Sequence, residues 1–346
     1  MNHSPRDSCE FQICDIWQQA LGVAEVGVHD DFFEVGGHSL LAIEVVVQIR
    51  RRFGVDITAG ELLEANTIAK LAEIVRRGHR ETPASPLIRL RGGDPDLAPV
   101  YGLPPVSGST VVYVRLMQAL GRNRPFWALQ SVGLLPGEQP LTSAEEVAAD
   151  FIVRARAVHP DGKPWHLLGY SMGGVYAYEV AKQLRAAGET VGLVGLLDTR
   201  PTIEAGADND FALQALVERA LKIEVDLDMV RSLDPEARAE LLLKEAVAAG
   251  TLPADFDSDR LLRMVDMYQI NLDAGSAYDP SGYPGDVTLY RVLDRAVESV
   301  ALPYDLDWTA RVGRLEIRDV PGHHYSMIEP GNVETLAALV DAALPD

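Results

Sequence analysis

Two serines in this sequence stand just ahead of helical patterns, each beside glycines: Ser39 in VGGHSLLA (35–42) and Ser171 in LLGYSMGG (167–174). The second fits a G-x-S-x-G elbow running from Gly169 to Gly173. Its flanks read as the strand WHLL and the helix GVYAYEVAKQLRAAG, which ends at Gly188. A serine on so sharp a turn is a candidate nucleophile, provided a base takes its proton and N–H donors meet the developing oxyanion. A phosphate cradle is the competing reading, and the missing lysine after the glycines counts against it.

For such an elbow the chain order is Ser, acid, His, which places the base C-terminal to Ser171. Of eight histidines, His323 and His324, in VPGHHYSMIEP, are the two that follow it. Two acids at strand ends compete to orient the imidazole: Asp198 after GLVGLL and Asp294 after VTLYRVL. Residue chemistry alone leaves these two level. The oxyanion donors are expected from the N–H of Met172 and from the loop YGLPPVSGST (101–110). There Pro104 and Pro105 have no N–H, so Val106 is the first donor after them. No metal is expected at this site.

Ser39 is a different case. No strand precedes it, and no acid–base pair is evident in the first 78 residues. Free N–H groups and the dipole at the start of SLLAIEVVVQIRRRFG favour an anion. An N-cap serine is the plain reading. A cap alone explains neither Gly36–Gly37 nor the aromatic pair Phe32–Phe33, expected to be exposed beside two aspartates. A phosphodiester on Ser39 would find both positive potential and clear approach.

These residues need two kinds of scaffold. Residues 8–78 are helical in pattern, with Phe11, Ile13, Ile16, Trp17 and Leu21 on one stripe and Gly54 as a C-cap after the second helix, and predict a four-helix bundle. Residues 79–86, HRETPASP, read as a linker. Beyond them, short strands alternate with amphipathic segments, the pattern of a mostly parallel sheet wrapped by helices. Residues 200–285 break the rhythm with helical patterns and predict either a lid over the sheet or a third subdomain. In it Tyr268, Tyr278 and Tyr283 are candidate cavity residues, with core packing the plainer role.

At 346 residues, 47% hydrophobic and 24% charged, the chain has the composition of a globular protein of one small and one large domain. A formal charge of −20 argues against nucleic acid and anionic membrane as partners. Two cysteines, Cys9 and Cys14, lie on different sides of the first helix and are poor disulfide partners, which fits a reducing compartment. The N-terminus lacks a signal pattern and the apolar runs are strand-length, so a cytoplasmic location is expected.

Residues 8–78 resemble a peptidyl carrier domain of a nonribosomal peptide synthetase, whose signature reads D-x-F-F-x-x-G-G-x-S-L. Here it stands unbroken as Asp31, Phe32, Phe33, Gly36, Gly37, Ser39 and Leu40. The resemblance implies 4′-phosphopantetheine covalently attached to Ser39. Residues 87–346 are similar to the type I thioesterase that terminates such synthetases, an α/β-hydrolase with a helical lid. That family places its acid after the strand following the elbow helix, which favours Asp198 over Asp294. Its histidine lies in G-x-H-x-x-M, here Gly322, His324 and Met327, which selects His324. Many members carry His-Pro-Ala-Gly-Gly in the oxyanion loop. The Pro104–Gly108 sequence PPVSG departs from it and resembles peptide-cyclising members.

The resemblance implies a terminal module. A peptide held as a thioester at Ser39 passes to Ser171 and is released by hydrolysis or macrocyclisation. Its implied partners are upstream condensation and adenylation domains, the tethered peptide and a phosphopantetheinyl transferase. Six basic against eleven acidic residues leave the 8–78 region acidic, suited to a basic docking patch on that transferase. Two other readings compete: a free serine esterase or lipase with a helical appendage, and a carrier or docking module with an inactive hydrolase fold.

Overall fold

In the computed structural model, the residues described are 5–37, 39–55, 57, 59–78, 85–134, 137–202, 214, 217, 221, 223–249, 251–252, 258–295 and 302–345. The N-terminal region holds helices α1 (Ser8–Leu21), α2 (Ser39–Phe53), α3 (Ala59–Glu64) and α4 (Ile68–Arg77). Helix α1 starts where the Asp7 carboxylate accepts the Glu10 N–H, and stops at Gly22 in the left-handed region. Thr67 caps α4 in the same way through the Lys70 N–H. The shared core is Ile13, Ile16, Trp17, Phe32, Val45, Ile49 and Leu71. Phe11 is 65% exposed, so the stripe on α1 is narrower than its apolar residues suggest. Cys9 and Cys14 are free thiols that face different carbonyls, those of Ala72 and Val26.

Phe32 also departs from expectation. It is fully buried, edge-on to Trp17 with ring centroids 4.9 Å apart, and Phe33 is half-buried beside it. The aromatic pair is a brace for the loop ahead of Ser39. A Cβ on Gly37 would lie 2.4 Å from the Phe32 ring, which accounts for the second glycine.

Most of the expected linker, residues 79–84, lies outside the described residues. The sheet that follows contains β1 (Leu87–Arg91), β2 (Val100–Leu103), β3 (Phe126–Leu129), β4 (Trp165–Tyr170), β5 (Val191–Leu197), β6 (Tyr283–Val292) and β7 (Val312–Val320). Their order is β1-β3-β2-β4-β5-β6-β7, with β1 antiparallel to β3 and the other pairs parallel. The central strands are covered on both faces, as a parallel sheet requires. Alternate residues feed two cores. Leu167, Val194 and Leu196 pack with Phe151 of α6 (Ala144–Arg156) and with Val175 and Val180 of α7 (Gly173–Ala186). Leu168, Leu193 and Leu197 pack with Tyr113 and Leu116 of α5 (Val112–Ala119) and Leu336 and Val340 of α11 (Val333–Ala343). The N-terminal helical region meets this body through α3, where Leu63 is buried with Ile88 and Leu90 of β1.

Between β5 and β6 lie α8 (Leu227–Ser232), α9 (Pro235–Ala248) and α10 (Ser258–Ala277). Asp234 caps α9 by accepting the Ala237 N–H at 2.8 Å, with Pro235 opening the helix. These helices build their own core from Val230, Leu242, Ala246, Leu261 and Val265. The helical insertion ends earlier than 285, because Tyr283 already pairs with Val312 as part of β6. Tyr278 and Tyr283 belong to the main core, Tyr278 donating its hydroxyl to Glu179 at 2.5 Å. Among the described residues, no helix is long and apolar enough to cross a membrane.

Candidate active site

Ser171 lies between the last residue of β4 and the first turn of α7, at a φ of 56°. A side-chain-bearing residue in the left-handed region is strained, and such strain recurs at functional sites. The flanking glycines are required by close approach. A Cβ on Gly169 would fall 2.1 Å from the Gly173 carbonyl oxygen, and one on Gly173 would fall 2.5 Å from that of Leu103. The turn is further held by Thr199, whose hydroxyl donates to the carbonyls of Ser171 at 2.8 Å and Gly169 at 3.3 Å.

His324 comes from the loop after β7. Its Nε2 is 3.1 Å from Ser171 Oγ, and its Nδ1 is 2.7 Å from Asp198 Oδ2. The Tyr170 hydroxyl donates to the His324 carbonyl at 2.9 Å while the two rings stack. His323 is engaged elsewhere, because its Nδ1 accepts the N–H groups of Tyr325 and Ser326 and so caps the next turn. The adjacent histidines therefore face different ways, one into the turn and one towards Ser171.

Asp198 follows β5 and is itself in the left-handed region at φ 50°. Its side chain is fully buried and accepts from four groups: His324, the Val292 N–H at 3.2 Å, and both terminal nitrogens of Arg295 at 2.6 and 3.3 Å. Burial works to raise this carboxyl. The His324 hydrogen bond and charge, Arg295 and the Val292 N–H outweigh it and hold the carboxyl below the ordinary aspartate range. Asp294, at the end of β6, is exposed, and its N–H bonds to the Gly322 carbonyl.

Met172 stands at the N-cap of α7, where N–H groups have no intrahelical acceptor. The loop after β2 reaches the same place, as the contact between Gly173 and the Leu103 carbonyl shows. In that loop the Gly108 N–H bonds to the Pro105 carbonyl at 2.8 Å, and the Val106 carbonyl accepts from Asn271 at 2.9 Å. Arg295, Thr199, Tyr170 and Asn271 were not singled out by residue type or spacing. Tyr170 was the most accessible of them, since it fills the first variable position of the elbow motif.

Ser39 opens α2, a helix of 15 residues with no acidic residue in its first turn. The side chains of His38 and Ser39 lie outside the described residues. The loop ahead is pinned to the α3–α4 connection: the Phe32 N–H bonds to the Asn66 carbonyl at 2.8 Å, and the Asn66 amide donates to Asp31. A helix start with no acidic residue in its first turn, after a loop pinned in place, suits a covalently held phosphodiester.

A strained serine elbow on a mostly parallel sheet, bonded to a histidine and a buried carboxylate, defines a serine hydrolase of the α/β-hydrolase class. Residues 98–344 match the family profile "Thioesterase domain", and residues 12–75 match "Phosphopantetheine attachment site". The chain belongs to the thioesterase family and fuses that domain to a phosphopantetheine-bearing carrier. A dimodular nonribosomal peptide synthase of Bacillus subtilis (strain 168) is 32% identical over 332 residues, which takes in 94% of this chain and 14% of that protein. The chain thus spans a small part of that curated relative. The structure of holo-AB3403, a four domain nonribosomal peptide synthetase bound to AMP and glycine, aligns with 99% of this chain and 26% of its own at 33% identity, with a TM-score of 0.71. A Vlm2 thioesterase domain bound with a dodecadepsipeptide aligns with 75% of this chain and 99% of its own, with a TM-score of 0.57. At 24% identity that likeness shows the fold alone.

Proposed function

We propose that this chain is the terminal carrier–thioesterase module of a nonribosomal peptide synthetase, releasing a peptide by acyl transfer through Ser171. The observation that carries this reading is the line of hydrogen bonds from Ser171 through His324 to Asp198, in a chain that also matches a phosphopantetheine attachment site. The proposed divisions are 8–78 for the carrier, 79–86 for the linker and 87–346 for the thioesterase.

Ser39 is the proposed attachment point, where a phosphopantetheine arm supplies the thiol that carries the peptide as a thioester. His324 Nε2 takes the Ser171 proton as Oγ attacks the thioester carbonyl carbon. Asp198 keeps the imidazole oriented and stabilises its protonated form. The N–H groups of Met172 and Val106 receive the oxyanion. Collapse breaks the C–S bond, His324 gives its proton to the departing sulfur, and the peptide remains as an ester on Ser171. Water, or an amine or hydroxyl of the peptide, then yields a proton to His324 and attacks the ester. Cleavage of the bond to Oγ returns that proton to Ser171.

Upstream condensation and adenylation domains, the tethered peptide and a phosphopantetheinyl transferase are the proposed partners, in the cytoplasm, with no part for nucleic acid or membrane. Tethering makes acyl transfer intramolecular and raises the effective substrate concentration. A free esterase would leave the 12–75 match unexplained, and an inert hydrolase fold would leave the aligned serine, histidine and aspartate unexplained.

The test is intact mass over time after incubation with a promiscuous transferase and acyl-coenzyme A. The expected result is an acyl-phosphopantetheine adduct that decays to the bare arm in the wild type and persists in Ser171→Ala. Rapid release from Ser171→Ala overturns the nucleophile assignment, and absence of an adduct on Ser39, with a control carrier modified, overturns the carrier assignment.

A further inference from the structure

Lid helix α10 carries a polar side chain in an apolar setting. Asn271 is 1% exposed, and its amide joins three separate elements. Its Nδ2 donates to the Val106 carbonyl at 2.9 Å and to Ser131 Oγ at 3.4 Å, just after β3. Its Oδ1 accepts the Tyr176 hydroxyl at 2.8 Å, from the first turn of α7. One turn earlier on α10, Tyr268 faces Ser107 of the same loop. A buried amide costs free energy unless its donors and acceptor are paired, and leucine would pack a helix against a loop without that demand. Here donors and acceptor are both engaged: the Val106 carbonyl lies on the loop that follows β2, and Ser131 donates its own N–H to that loop's Gly108 carbonyl at 2.9 Å.

The consequence for Val106 is geometric. A peptide unit is planar, so fixing a carbonyl fixes the N–H on the same unit. The Gly108 N–H holds the Pro105 carbonyl, and with it the plane that carries the Val106 N–H. Asn271 holds the next plane through the Val106 carbonyl. Both planes that meet at the Val106 Cα are therefore pinned, one from within the loop and one from the lid.

We infer that Asn271 is a positioning residue for acyl transfer: by holding the peptide plane that follows Val106 it restrains the residue whose N–H meets the oxyanion, so the oxyanion hole is complete when α10 is seated on the sheet. The inference rests on the proposed role of the Val106 N–H as an oxyanion donor. It makes the lid a part of the catalytic apparatus as well as a cover. Seating α10 and aligning the donor are then one event.

The test uses the full chain with a small acyl N-acetylcysteamine thioester. Asn271→Leu is compared in two backgrounds: wild type, and protein in which 2-hydroxyisovaleric acid replaces Val106, which deletes that N–H and leaves the Pro105 carbonyl a weaker acceptor for Gly108. The backbone ester is expected to lower kcat about 100-fold. Asn271→Leu should lower kcat at least about tenfold with KM unchanged in the wild type, and less than about twofold in the ester background, because the two act on one donor. Asn271→Asp, nearly isosteric, keeps the acceptor for Tyr176 and sets an oxygen against the Val106 carbonyl. It should show the same kcat loss and serves if the leucine variant does not fold. An ester that costs nothing overturns the oxyanion assignment and this inference with it. An ester that costs activity while both Asn271 variants keep kcat, or while losses multiply in full, overturns the inference alone.

Discussion

Arg295 grips the carboxylate of Asp198 from the segment after β6, its Nη2 2.6 Å from Oδ1, while His324 Nδ1 lies 2.7 Å from Oδ2. Oδ1 thus meets the cation and not the imidazole, and Oδ2 is shared between the imidazole and the second terminal nitrogen of Arg295 at 3.3 Å. A fully buried carboxylate needs such pairing to remain ionised. Arg295 supplies it chiefly at Oδ1, with a longer second bond of 3.3 Å from Nη1 to the oxygen that faces His324.

The pH dependence of stability follows from that pairing. Because the folded-state carboxyl of Asp198 is held down, its stabilising contribution is present above the unfolded value near ~3.9. That contribution is lost as pH falls through the lower folded value. Arg295→Met removes one of the groups holding it down, so the folded value rises toward the unfolded one, the contribution shrinks and its loss is complete at a higher pH. Thermal melts between neutral and acid pH check this. Superimposable curves for the two proteins would show that Arg295 does not set the charge state of Asp198.

The two strand-end acids should separate cleanly. Asp198→Asn keeps the shape but supports the wrong imidazole tautomer, and should lower kcat about 10⁴-fold on a small thioester. Asp294→Asn, at an exposed position, should change it by no more than about twofold. The reverse ranking would move the acid to the end of β6.

Thr199 is 1% exposed, and its hydroxyl serves two elbow carbonyls. Thr199→Val keeps the volume and removes the donor, so unfolding should become easier by about 1–3 kcal/mol. Denaturant titration of the wild type and variant measures this directly. An unchanged midpoint would mean that the carbonyls find other donors.

The carrier region allows an experiment in which one half fails alone. Phe32→Ala empties a fully buried site against Trp17 and should cost about 3–5 kcal/mol, a large share of what so small a bundle possesses. The variant should lose modification by the transferase and keep hydrolysis of free thioesters. Loss of both, with the sheet still folded, would show that the two regions do not work independently.

Legibility in the sequence followed chain distance. The elbow around Ser171 and the motif around Ser39 are each written within a few neighbouring residues, and so is the helix-to-sheet change near residue 87. The choice between His323 and His324 depends on which ring caps the turn at Tyr325 and Ser326, and residue types do not encode that. Asp198 and Asp294 look alike until the fold buries one and exposes the other. Phe32 read as exposed because its flanks are acidic, yet Trp17, far off in sequence, encloses it. The lid's end was placed too late, since the first residues of β6 carry Pro284 and Gly285 and look like a loop. Arg295 and Asn271 carry no spacing signal; their partners lie 97 and 165 residues away.

The order of the sheet bears on how the protein is made. Ser171 and Asp198 sit on β4 and β5, in the middle of the chain, whereas His324 follows β7, which needs β6 in place before it can pair. During synthesis the ribosome releases the proposed nucleophile and its acid well before the proposed base. Until β7 has closed onto the edge of the sheet, the nascent chain holds a serine with no proton acceptor. On the proposed roles, a half-made chain holds an incomplete triad, and hydrolysis of thioesters waits for β7 and the loop that follows it.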